Sequence, residues 1–212
     1  MLPITVSLAL SGGSATAVAA AQTLGSAGNF TLTANPVVFT VARRVLFTFA
    51  ADETGHTFPI YGTDRAGNVI SENITGTTAG TVYTVNDYLT VTQASCNSAT
   101  TGNVSIGTTS VGSSRWVYTS DHMTPFNLSL SAHYTSGSGS YQLEYCYDDP
   151  AGSPATFPAK AQAVTVYALP GGAQTGAYDT SLNNPITAWR LTVLTGTGTV
   201  SATGIQSGIS GP

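Results

Sequence analysis

The chain has 212 residues, enough for one large all-β domain or two small ones, and enough to bury a core without disulfide or metal staples. Charged residues make up only 8% of it, against roughly 25% in an ordinary globular protein, yet 42% are hydrophobic, which excludes a disordered chain. Six cations, with Lys160 the single lysine, argue against nucleic-acid binding, which needs a basic patch.

Gly, Ser, Thr and Asn stand where charge is missing. Such a surface is solvated by hydroxyls and amides, or it is covered by neighbouring subunits. A net charge of −4 gives weak self-repulsion and favours the second reading.

The first 28 residues hold one alternating run, Ile4, Val6, Leu8 and Leu10, followed by small residues. No basic segment precedes the run, and Ser11-Gly12-Gly13-Ser14 breaks it, so it does not read as a signal peptide. No stretch reaches the ~18 apolar residues of a membrane helix. A soluble chain that keeps its own N-terminus is expected, with no membrane partner. Ala15–Leu24 reads as a brief helix, alanine being the best helix former, or as an extended arm lying on a neighbour.

Strands are expected at Phe30–Thr33 and Val37–Val41, split by Asn35-Pro36. Val45, Phe47 and Phe49 form the next, and Asp52–Gly55 turns the chain back through Phe58 and Ile60. Asp64-Arg65-Ala66-Gly67 is a second turn, with glycine where a positive φ is cheap, and Val69–Ile74 returns. The spacing predicts a meander of hairpins. Val82–Val85, Leu89–Ala94 and Asn103–Gly107 add further strands, and Gly112–Ser114 interrupts the pattern.

A second cycle starts near Trp116. Phe126, Leu128, Leu130, Ala132 and Tyr134 alternate with polar residues that include His133. Tyr141, Leu143, Tyr145 and Tyr147 alternate with Gln142, Glu144, Cys146 and Asp148. Period two predicts one packed and one wet face in each run, joined as a hairpin through Ser136–Ser140. Cys146 then falls on the polar face. Loops are expected over 156–163 and 171–184, and strands over Val164–Leu169, Ile186–Leu194 and Val200–Ile205. Trp189, Leu191 and Val193 share a face. Thr101–Ser105 is echoed by Thr197–Ser201, which hints at two related units.

The predicted fold is therefore all-β: two sandwich-, jelly-roll- or barrel-like antiparallel units with little helix. The predicted division is an N-terminal arm (1–28), a first unit (29–112) and a second (113–212), the units separate or fused into one body.

No catalytic pattern stands out. His56, His122 and His133 lack metal spacing, and there is no Cys-x-x-Cys pair. Ser120-Asp121-His122 holds triad residue types, but adjacent residues of one strand point to opposite faces. Asp148-Asp149 reads as a hairpin cap. No enzyme activity, cofactor or metal is expected. Cys96 and Cys146 lie far apart in sequence: a secreted protein could join them, whereas a protein assembled in a bacterial cytoplasm keeps them as thiols, and free thiols are the expectation of the two. The tyrosines suit core or subunit-interface packing better than sugar stacking, since three of them share the face of Leu143.

Ala21-Gln22-Thr23, Ala42-Arg43-Arg44-Val45 and Gly62-Thr63-Asp64-Arg65-Ala66-Gly67-Asn68-Val69-Ile70-Ser71-Glu72 resemble a segment repeated across structural proteins of tailed bacteriophages. Gly102–Gly107 fits its end. Pro125-Phe126-Asn127, Tyr145–Pro150, Ala188–Val193 and Gly196–Val200 resemble a second phage virion module. The resemblance covers roughly residues 20–208. It implies a β-rich virion protein, assembled in the host cytoplasm, with the major capsid protein and copies of itself as partners. Capsid decoration or cementing is the first expectation. A tail, head–tail connector or fibre-base component is the alternative, and a receptor- or glycan-binding head fibre is another. The resemblance brings no catalytic residues. Expected contact residues are Ile4, Val6, Leu8, Leu10 and Leu24 of the arm, with Arg43, Arg44 and Arg65.

Overall fold

The structure, a computed structural model, describes residues 3–65, 67–120, 123–150 and 164–210. It is all-β, with no helix among the described residues. The strands run in the order β1 (Ile4–Leu10), β2 (Ser14–Gln22), β3 (Gly28–Asn29), β4 (Val37–Phe49), β5 (Thr57–Thr63), β6 (Val69–Thr75) and β7 (Gly80–Tyr83). They continue as β8 (Tyr88–Cys96), β9 (Val104–Ser113), β10 (Val117–Tyr118), β11 (Met123–Cys146), β12 (Tyr167–Ala168), β13 (Tyr178–Leu182) and β14 (Ala188–Ser210).

Two compact units emerge. One is continuous, Gly12–Gly112; the other joins Met1–Ser11 to Ser113–Pro212. The expected arm is thus divided between them. β1 pairs antiparallel with β14 from Ile4↔Gly204 to Leu10↔Gly198. Val6, Leu8 and Leu10 are buried there, because period two sends every second side chain of β1 into the core. The small residues after Gly13 form neither a helix nor a free arm. They make β2, which pairs with β9. Alanine's helix preference is weak, and Val18 and Ala19 gain more by full burial.

In the continuous unit the strand order is β9-β4-β8-β5-β6, with β2 on β9, β3 on β8 and β7 on β4. The β2–β9, β3–β8, β4–β7, β4–β8, β5–β6 and β5–β8 pairs are all antiparallel. The expected meander is corrected at one point: β8 lies between β4 and β5, so the turn at Asp52–Gly55 does not close a hairpin. The predicted strand at Phe30–Thr33 is irregular, and only Gly28–Asn29 pairs. The core centres on Phe30, Phe47, Phe49 and Phe58, whose ring centroids lie 4.9–6.3 Å apart. Ring contacts at such spacings add to the area each aromatic removes from water.

In the other unit, β11 and β14 are the two long central strands. They pair antiparallel from Met123↔Ser210 to Cys146↔Ala188. β12 and β13 line the free side of β11, and β1 and β10 line that of β14. The hairpin expected at Ser136–Ser140 is absent: β11 runs straight through it. Ser136, Gly137, Ser138, Gly139 and Ser140 face Thr199, Gly198, Thr197, Gly196 and Thr195. All four glycines have positive φ, between 73° and 156°. Their bare Cα atoms let the two strands close up: a Cβ on any of them would meet a carbonyl oxygen across the ladder at 2.1–2.2 Å. The pairing shifts register on either side of this segment, between Tyr134 and Ser136 and between Ser140 and Tyr141. The first shift puts an extra residue, Thr135, in β11, and the second puts one, Leu194, in β14, so each strand swaps inward for outward positions once. Even-numbered Leu128, Leu130 and Ala132 are therefore buried before the segment, and odd-numbered Tyr141 and Leu143 after it.

Val164–Leu169 yields only the short β12, and Tyr178–Leu182 is a strand inside an expected loop. The loop expected at 156–163 lies outside the described residues, as do Asp121 and His122.

Candidate interaction surface

The eight expected contact residues separate into two groups. Val6, Leu8, Leu10 and Arg43 are buried within their own units, which corrects the expectation that they meet a partner. Arg43 donates from Nη1 to Thr108 Oγ1 at 3.3 Å, and burial lowers its pKa. Leu24 is half-buried against the phenylalanine core. Ile4 (43% exposed), Arg44 and Arg65 reach the surface. Arg44 spreads its guanidinium over the Tyr83 ring, 5.6 Å from the centroid, a cation–π contact on an exposed aromatic.

Arg65 sits on the turn between β5 and β6. Asp64 builds that turn: its carboxylate accepts from Asn68 N at 2.9 Å and from Asn68 Nδ2 at 3.0 Å. Gly67 takes the positive φ, 86°, that an L side chain would resist. On β6, Glu72 turns its carboxylate onto the amides of Val85 (2.7 Å) and Asn86 (2.8 Å), pinning the loop after β7. Val69 and Val85 stand nearly free, 70% and 78% exposed.

A second surface lies on the discontinuous unit. Tyr145 and Tyr167 are cross-strand partners, their rings stacked at 5.4 Å. Tyr147 meets both edge-on, at 5.5 and 5.7 Å. Tyr147 and Tyr167 are 52% and 42% exposed, so an aromatic cluster faces solvent where the buried face of Tyr141 and Leu143 runs out. Nearby, Tyr118 donates to Asp149 Oδ1 at 2.9 Å, and Asp148 Oδ2 accepts from Thr165 N at 2.8 Å. Both carboxylates therefore fasten backbone and side chains at this end.

Two polar constellations escaped the sequence reading. Glu53 is fully buried. Its Oε1 accepts from Gly102 N at 2.9 Å, and its Oε2 lies 2.7 Å from His56 Nδ1. It thereby ties the 52–56 turn to the approach of β9. Glu144 lies opposite Arg190 in the β11–β14 ladder. Its Oε2 accepts from Arg190 Nε (2.7 Å) and Thr192 Oγ1 (2.8 Å), while Arg190 covers the Trp116 ring at 4.6 Å. Alternation predicted a wet Glu144, but the pairing with Arg190 lets it be buried. Cys146 is also buried rather than on a wet face. Desolvation raises its thiol pKa to about 11. Both cysteines are free. His133 is exposed. Among the described residues no three of His, Cys, Asp and Glu converge as a metal cage does.

A cleft of about 380 Å³ beside β3, lined by Asn29, Phe30, Leu32, Asn35 and Gln93, carries no titratable side chain. Comparison of the chain with protein-family models, curated proteins and solved structures gave no match.

Proposed function

We propose that this chain is a structural protein of a tailed-bacteriophage particle, one that decorates and cements the capsid through the major capsid protein and copies of itself. One observation supports the reading most. Gly62–Glu72, the longest run of the phage resemblance, spans the β5–β6 hairpin, whose tip carries exposed Arg65 and Val69. A segment shared for its contacts belongs on such a surface, since exposed loops and edges, not cores, carry recognition. With Val6, Leu8, Leu10 and Arg43 taken up internally, the contact set becomes Ile4, Arg44 with Tyr83, Arg65 and the tyrosine cluster. The mechanism is burial of a low-charge surface repeated by symmetry, many small interfaces adding over one shell.

Copy number in purified particles tests this, measured by quantitative mass spectrometry against the coat protein. A ratio near the coat count, or a simple fraction of it, supports decoration. A handful of copies moves the chain to the tail or connector and retires the cementing mechanism. The cluster of Tyr145, Tyr147 and Tyr167 favours a second reading, a receptor- or glycan-binding module, because exposed rings stack on sugar faces as they do on protein. Saturable binding of the isolated protein on a glycan array, abolished by Tyr147→Ala, is its test.

A further inference from the structure

β6 closes one end of the strand order of the continuous unit, and among the described residues its far side is unpaired. Its hydrogen-bond register is fixed from both ends. Asp64 N donates to Asn68 O at 3.0 Å, and Gly76 N donates to His56 O at 2.9 Å. In an antiparallel pair, bonded and non-bonded positions alternate. Gly62↔Ile70, Ile60↔Glu72 and Phe58↔Ile74 are therefore the bonded pairs. Val69, Ser71, Asn73 and Thr75 aim their N–H and C=O groups away from β5, along the open edge. The same four side chains are exposed.

Sheets normally guard such an edge with lysine, proline, a bulge or extreme shortness. β6 is seven residues long, contains no proline or lysine, and pairs with β5 without a register shift. Its one charge, Glu72, is engaged by the amides of Val85 and Asn86. We propose that β6 pairs antiparallel with β6 of a second copy of this chain, about a twofold axis.

The geometry selects the second copy because the edge is complementary to itself. An antiparallel pairing of a strand with its own copy is isologous: each outward N–H meets an outward C=O of an identical strand. Registers centred on Ser71 or on Asn73 bring outward positions together and keep Glu72 from facing its own copy, where like charges are unfavourable. Either gives three bonded residue pairs flanked by neutral Ser, Asn and Thr or Val side chains. The small net charge does little to oppose association. This inference stands or falls independently of the virion reading, since it concerns the isolated chain.

The test uses the full chain in sedimentation equilibrium, with far-UV circular dichroism as the control for folding. The wild type is expected to approach twice the 21.6 kDa chain mass as concentration rises. The double variant Ser71→Lys/Asn73→Lys is expected to weaken association at least tenfold with an unchanged spectrum. Ser71→Cys or Asn73→Cys places a thiol on the axis, with Cα atoms at about the 5.5 Å that suits a disulfide. Mild oxidation is expected to cross-link one of the two, while Ser26→Cys, exposed elsewhere, does not. Native Cys96 and Cys146 are buried and do not compete. A wild type that stays monomeric, a lysine variant that associates as strongly, or failure of both cysteine variants to cross-link overturns the proposal.

Discussion

Leu8→Ala tests whether the N-terminal strand belongs to a core. Leu8 is fully buried and lies opposite Val200, itself fully buried. Removing a buried leucine side chain costs 2–5 kcal/mol, and about 3 kcal/mol is the reasonable centre for a site closed on both sides. For a body the size of the discontinuous unit, each kcal/mol lowers the melting temperature by about 4 °C, so a fall of roughly 10 °C is expected. Trp116 and Trp189 are the only tryptophans and both lie in that unit, so tryptophan fluorescence during a thermal melt reports it selectively. Ile4→Ala, at the exposed end of the same strand, should cost under about 1 kcal/mol. Deleting residues 1–11 removes the buried Val6, Leu8 and Leu10 together, roughly 1.5–3 kcal/mol each, which rivals the whole stability of a typical domain. The fluorescence transition should then be lost. Should Leu8→Ala melt within about 2 °C of the wild type, and the truncated chain melt normally, β1 is a loose arm and the core assignment is wrong.

Gly196→Ala should destabilise the same transition by more than about 3 kcal/mol, because a Cβ would lie 2.1 Å from Ser138 O at a φ of 90°. Gly172→Ala, at a φ of 60° with open space around it, should cost only about 1–2 kcal/mol, so equal melting temperatures would refute the closed ladder. Cys146 should resist a thiol reagent at pH 8 until denaturant is added, since a pKa of about 11 leaves roughly one thiol in a thousand ionised. Its folded pKa lies above its unfolded one, so the stability it contributes is whole below about pH 9 and is lost as pH rises towards 11. Cys146→Ala should flatten that decline in urea melts, and an unchanged decline would assign it to other groups.

The class of the fold was legible because it depends on period two, which each strand carries in its own residues. Trp189, Leu191 and Val193 read as one face and are all buried. Partner choice was not legible in the same way. Ser136–Ser140 has the composition of a hairpin loop, yet it becomes a strand because Thr195–Thr199, some sixty residues later, supplies a matching Gly/Thr ladder. A local reading sees only one half of that match. The same limit explains β4 and β5, where a good turn at Asp52–Gly55 joins strands that β8 separates.

The polar residues show where alternation stops carrying information. Glu144 and Cys146 occupy positions that alternation marks as wet, and both are buried. What overrides the pattern is a hydrogen-bond partner: Arg190 and Thr192 on β14 for Glu144, and for the Cys146 thiol the carbonyls of Ala188 on β14 and of Asp148 just past the end of β11. Arg43 and Glu53 follow the same rule, Arg43 meeting Thr108 and Glu53 meeting Gly102 across a gap of tens of residues. In a chain with so few charges, the rarity of Arg43, Glu53 and Glu144 invites a reading as contact residues, yet all three are consumed in joining strands within their own units. Apart from Arg44 and Arg65, the surface left for partners is then neutral: strand edge, hydroxyls, amides and tyrosine rings. Recognition by such a surface rests on backbone pairing and shape more than on charge, so salt should change its association little, whereas one lysine placed in the open edge of β6 should change it strongly.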